Sequence, residues 1–151
     1  MHYKIIIITL VAALAASCNQ QSKVETVADS TVVDHHNHKE ATEAIELNNG
    51  EKWKVNEEMM PPIMAMEKDI NAFATADQKD YKSLAKKLSV NIDLLTSNCT
   101  MKGKAHDELH KWLLPYIDLV DELAKAKTEQ ESAEIFTKIQ ISYKTFNQYF
   151  Q

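Results

Sequence analysis

Arginine is absent from this chain. All 17 basic residues are lysine, set against 22 acidic residues, for a formal charge of −5 over 151 residues. Neutralising a nucleic-acid backbone takes clustered positive charge, often as arginine forks, so this composition argues against nucleic-acid binding. Glycine is nearly missing, at two residues, and proline is limited to three. Sandwiches, barrels and propellers need a turn roughly every 8–12 residues, and too few turn-formers are present for them. The chain has no GxGxxG, GxxxxGK[ST], GxSxG or CxxCH, which removes the usual phosphate-binding, hydrolase and covalent haem signals. No nucleophile–base pairing stands out, so no enzymatic activity is expected. The length is that of a single domain, and 44% apolar content is enough for a core.

The first 17 residues read as an address. Lys4 precedes the apolar run Ile5–Leu14, which is shorter than the ~20 residues of a membrane-spanning helix and reads as a secretory signal. Ala15-Ala16-Ser17 then leads into Cys18. This resembles the lipobox of bacterial lipoproteins, with Ala15 in place of the usual Leu and Leu14 one position further back. The resemblance implies cleavage before Cys18, lipidation of that residue, and attachment to a membrane of the bacterial cell envelope, facing the periplasm or the cell surface. Cys99 would then be the remaining thiol, as a buried apolar residue or as a ligand.

Residues 18–44 show no helical period and are rich in polar side chains, the composition of a disordered tether. Within them Asp34-His35-His36-Asn37-His38 holds half of the chain's six histidines. Such a tract is either a solvated polar run or an auxiliary site for metal capture by His35, His36 and His38. Ile45-Glu46-Leu47 and Trp53-Lys54-Val55 alternate apolar and polar residues around Asn48-Asn49-Gly50. Asn-Gly suits a type I′ turn, so residues 45–55 predict a short hairpin or an extended arm that leans on the helices.

From residue 56 onward four apolar stripes at helical spacing predict an all-α fold, an antiparallel up-down-up-down four-helix bundle spanning 56–151. Met59, Ile63, Met66, Ile70 and Phe73 mark the first helix, with Pro61-Pro62 placing its true start near Met60. Asp77 is the expected cap of the second, whose stripe is Tyr81, Leu84, Leu88, Ile92 and Leu95. The third begins near Lys104. His106, Leu109, Leu113, Tyr116, Val120 and Leu123 line it, Trp112 lies beside them, and Pro115 should kink it. Thr128 and Glu131 form a capping box ahead of Ile135, Ile139, Tyr143, Phe146 and Phe150.

This topology gathers soft side chains at one end of the bundle: Met59, Met60 and Met64, then Cys99 and Met101, then His106 and His110, with Asn147 and Phe150 closing the group. His106 and His110 are spaced i, i+4, so both rings project from one helix face. Thiolate and thioether select copper(I), and thiolate with imidazole also suits zinc. The candidate metal ligands are therefore His106, His110, Cys99, Met101 and Met60. Each has an alternative as ordinary core, His106 and Cys99 included.

Two resemblances add to this. The layout is similar to the periplasmic b-type cytochrome four-helix bundles, which implies haem between a Met of the first helix and a His of the fourth. Met59 or Met60 matches the first position, but the second falls at or near Asn147 and helix four has no histidine, which argues against haem. The segments Leu47–Val55 and Cys99–Leu113 resemble those of uncharacterised bacterial lipoproteins joining a His-rich spacer to a small helical bundle. Three functions are expected. The first is a lipid-anchored envelope protein that binds copper(I) or zinc and sequesters it or passes it to a metal-handling partner. The second is a non-catalytic module binding another envelope protein. The third is a cytochrome-like electron carrier.

Overall fold

The computed structural model describes residues 43–151, so the expected signal peptide, most of the expected tether, Cys18 and the histidines at 35, 36 and 38 lie outside the described residues. The described part is an antiparallel four-helix bundle: α1 (Met60–Thr75), α2 (Tyr81–Ser97), α3 (Lys104–Lys125) and α4 (Glu129–Tyr149). A 3-10 turn, Glu57–Met59, leads into α1. Pro61 and Pro62 occupy the first turn of α1, where a missing amide donor costs no helix bond. None of these helices is long and apolar enough to cross a membrane.

The stripes read from the sequence are the core. Met59, Met66, Leu88, Leu95, Leu109, Leu123 and Ile139 are fully buried, and Phe73 and Tyr81 pack against the core's edge. Consecutive helices pack against one another through this core. Between α1 and α4, long side chains reach across: the Tyr143 hydroxyl donates to the Ile63 carbonyl, and Asn147 donates to Glu67 at 2.8 Å. Trp112 stacks on Tyr116 (ring centroids 5.0 Å apart), leans on Phe146 (4.7 Å), and donates through its indole N–H to the Ser142 carbonyl. Tyr116 is fully buried, and its hydroxyl has no hydrogen-bond partner among the described residues. Burial pushes the phenols of both Tyr116 and Tyr143 far above their usual range.

Three local expectations need correction. Asp80, not Asp77, caps α2: its carboxylate accepts from the Ser83 amide at 3.0 Å. The tight link keeps Asp77 three residues too early, and Lys79 fills the gap by donating to the Phe73 and Ala74 carbonyls that end α1. The box opening α4 is offset by one residue. Thr128 Oγ1 accepts from the Glu131 amide as expected, but Glu131 Oε2 accepts from the amide of Lys127 instead of Thr128. The Asn-Gly turn forms, with positive φ at Asn49 (53°) and Gly50 (90°) and reciprocal hydrogen bonds between Asn48 and Glu51. It does not grow into a two-stranded ribbon, because the second arm pairs elsewhere. Trp53 bridges Phe150 in parallel, donating to the Tyr149 carbonyl and accepting from the Gln151 amide, while the Val55 amide donates to Gln151.

Residues 43–55 are therefore a strap across one end of the bundle. At α3 the Glu46 amide donates to Glu108 Oε2 (2.8 Å), Lys104 pairs with the Glu46 carboxylate (2.9 Å), and Lys111 reaches the Ala44 carbonyl and Glu43. The Trp53 indole closes the strap on itself by donating to the Glu46 carbonyl at 2.6 Å. Asn56 then donates to Thr100 in the loop after α2, fixing the start of α1 against that loop.

Candidate functional site

Cys99 and the two histidines meet because of how the loop between α2 and α3 turns. Asn98 caps α2, and the Cys99 amide donates to the Thr96 carbonyl. Four residues later Gly103 adopts φ 64°, ψ −154°, a conformation open essentially to glycine, and its carbonyl accepts from the amides of His106 and Asp107. This reversal lays Cys99 over the first turn of α3. Its Sγ lies 3.5 Å from His106 Nδ1. His110 lies against that ring, with its centroid 4.1 Å away and its plane tilted by 47°. All three side chains are half-buried, so the cluster is anchored by the protein yet reachable from solvent.

Burial, and then the neighbouring His106, lower the pKa of His110 below the usual imidazole value, against a smaller opposing effect from Asp107. Near neutral pH the His110 ring is thereby kept in the neutral form that can donate a lone pair.

The sulfur ligands expected around this cluster are placed differently. Met101 is buried in the core (8% exposed), and Met60 packs half-buried against it. Met59 is fully buried, whereas Met64 points outward at 62% exposed. Asn147 is taken by Glu67, and Phe150 stacks on Phe146 in the core. The soft residues do share one end of the bundle, but packing divides them. Met59 and Met101 enter the core, Met64 faces solvent, and Met60 stays half-buried at the rim with the thiol and the imidazoles. No three His, Cys, Asp or Glu side chains among the described residues stand together as an array able to enclose an ion. The contacts are pairwise instead, Cys99 to His106 and His106 to His110.

Haem does not fit these residues. Met59 is locked in a filled core, and the α4 position that should carry a His is the exposed Asn147.

Glu108 is the residue that sequence reasoning missed. It is 2% exposed and accepts from the Glu46 amide and from Lys111 Nζ (3.0 Å). As one acidic residue in a helix's first turns it carries no signal of burial, since burial comes from the strap arriving over it. At about 100° per residue, Lys104, Glu108 and Lys111 form one flank of α3 and His106 and His110 another, roughly 150° away, with the core stripe between. The strap and the Cys–His cluster thus hold opposite flanks of the same helix turns.

Comparison with known proteins finds no matching family model, curated relative or solved structure.

Proposed function

We propose that this is a lipid-anchored protein of the bacterial cell envelope that binds a soft or borderline metal ion, copper(I) or zinc, and sequesters it or hands it on. The observation that carries the metal reading is the Cys99 Sγ–His106 Nδ1 contact with the His110 ring tilted against His106. A thiol and two imidazoles at a half-buried rim are the donor types such ions select. Envelope attachment rests on Cys18 following Ala15-Ala16-Ser17 at the end of an apolar run. His35, His36 and His38 would be an auxiliary capture tract feeding the same ion. Met101 and Met60 serve as packing around the cluster in this reading, with no chemistry of their own required.

The test is thermal melting with and without metal. A ligand bound only by the folded state stabilises it by about 2.7 kcal/mol at a hundredfold excess over Kd. Zinc or copper(I) should raise the melting temperature. The paired substitution His106→Ala with His110→Ala should remove that rise and leave the metal-free melt nearly unchanged, because both rings sit at the rim. A flat melt for the unaltered protein with every metal overturns the reading. For the anchor, Cys18→Ser should move the protein from the membrane to the soluble fraction.

A further inference from the structure

The spacing within the cluster says more about the ion than the donor types do. Zinc bonds to thiolate sulfur at about 2.3 Å and to imidazole nitrogen at about 2.0–2.1 Å. At the tetrahedral angle these lengths put sulfur and nitrogen about 3.5–3.6 Å apart, whereas a linear two-coordinate ion with bonds of similar length needs them roughly 4.3 Å apart. Cys99 Sγ and His106 Nδ1 stand 3.5 Å apart. The backbone on both sides of this pair is held: Gly103 fixes the turn, the Asn56–Thr100 bond pins the loop, and the His106 amide is tied to the Gly103 carbonyl. The backbone on both sides of the pair is thus held, and the 3.5 Å separation is also that of a thiol–imidazole hydrogen bond, which an ion would replace.

We propose that Cys99 Sγ and His106 Nδ1 are the preformed edge of a tetrahedral zinc site, with His110 as its recruitable third donor and the fourth position left to an exchangeable ligand. The inference rests on the metal reading above and narrows it in two ways. It names the nitrogen, Nδ1 instead of Nε2, and it requires an open position. Only two donors are preset, and among the described residues no further His, Cys, Asp or Glu completes an array. The bound ion is therefore accessible to an incoming thiolate or imidazole, which is the property a protein that hands zinc on requires. Binding displaces the thiol proton to solvent, so affinity rises with pH.

The test uses the full chain with Cys18→Ser, so that Cys99 is its single thiol, and His35, His36 and His38 each changed to Ala, so that the tract does not compete. Cobalt(II) replaces zinc as a coloured probe. One equivalent should give a near-ultraviolet thiolate-to-cobalt band together with the intense visible bands of tetrahedral cobalt, both bleached by zinc. Cys99→Ser should abolish the thiolate band. His106→Ala and His110→Ala should each weaken binding by at least about 10-fold. Nitrogen-15 spectra of the zinc form should show His106 metallated at Nδ1 with its Nε2 protonated, and added imidazole should shift the visible bands. A six-coordinate spectrum without a thiolate band, metallation at Nε2, or binding indifferent to His106→Ala overturns the inference. Copper(I) binding to Cys99 with no cobalt or zinc binding overturns it and leaves the broader metal reading standing. Absence of binding by all three metals overturns both.

Discussion

The two ends of the bundle are built by different means. At the far end α1 meets α2 and α3 meets α4 through links of a few residues, and the ends are satisfied locally. Asp80 and Thr128 cap their own helices, Lys79 takes the last carbonyls of α1, and Phe73, Tyr81 and Phe136 pack edge to face with centroids 4.9–6.4 Å apart. At the strapped end little is local. Glu108 accepts from an amide 62 residues earlier, Asn56 reaches Thr100 across 44 residues, and Trp53 pairs with the last turn of α4 and the C-terminus. The contrast lies in where half-buried polar side chains are left over. At the far end Asp80, Thr128, Glu131 and Lys79 are engaged in capping. The strapped end satisfies one flank of α3 with the strap and leaves the thiol and imidazoles on the other flank, paired among the described residues with one another.

The largest test of this contrast is Trp53→Ala. Trp53 is nearly buried and ties the strap to Glu46 and to Phe150. Its loss should cost about 3–5 kcal/mol in chemical denaturation and increase hydrogen exchange at the Val55 and Gln151 amides, while the far end keeps its protection. Uniform loosening of both ends would show that they are not separable.

Glu108→Ala comes next. It removes the acceptor for a backbone amide and for Lys111, and should destabilise by about 1–3 kcal/mol. Because Glu108 lies on the flank of α3 away from His106, the zinc affinity proposed above should change far less than the stability. A fall in affinity as large as that of His106→Ala would break the two-flank picture.

Thr128→Ala probes the far end alone. Removing this cap should cost about 1 kcal/mol and leave exchange in the strap untouched.

The smallest effect is a pH dependence. The His110 pKa is lowered in the folded state, so the unfolded chain binds the proton more readily. Its contribution to stability is present above about pH 6.5 and is lost as pH falls from there toward the folded-state value. The metal-free protein should lose stability on mild acidification, and His110→Gln should remove that part of the slope. An unchanged slope would show that His110 is not desolvated.

The four helices, the start of α1 at its prolines and the Asn-Gly turn were legible because each is written in a few neighbouring residues: apolar spacing, an absent amide donor, a pair tolerant of positive φ. The cap of α2 was misplaced by three residues because Asp77 and Asp80 look alike in sequence, and only the path of the link decides which carboxylate meets a free amide. The candidate site was half legible. The i, i+4 spacing of His106 and His110 placed two rings on one face, and chain direction brought Cys99 to the same end. That Met101 turns into the core while Cys99 turns to the rim was not legible, since both are apolar sulfur residues two positions apart on one loop.

The class of fold, the helix boundaries to within a few residues and the kinds of side chain gathered at one end follow from local sequence, because periodicity, capping and side-chain chemistry act over one or two turns. The tertiary structure alone decided that Glu108 is buried, that Trp53 pairs with Phe150 and leaves its hairpin partner, and that Cys99 Sγ stops 3.5 Å from His106 Nδ1. Those outcomes depend on which surfaces segments distant in the chain present to one another. Burial and side-chain separation are properties of the assembled packing, and no local window of residues contains them.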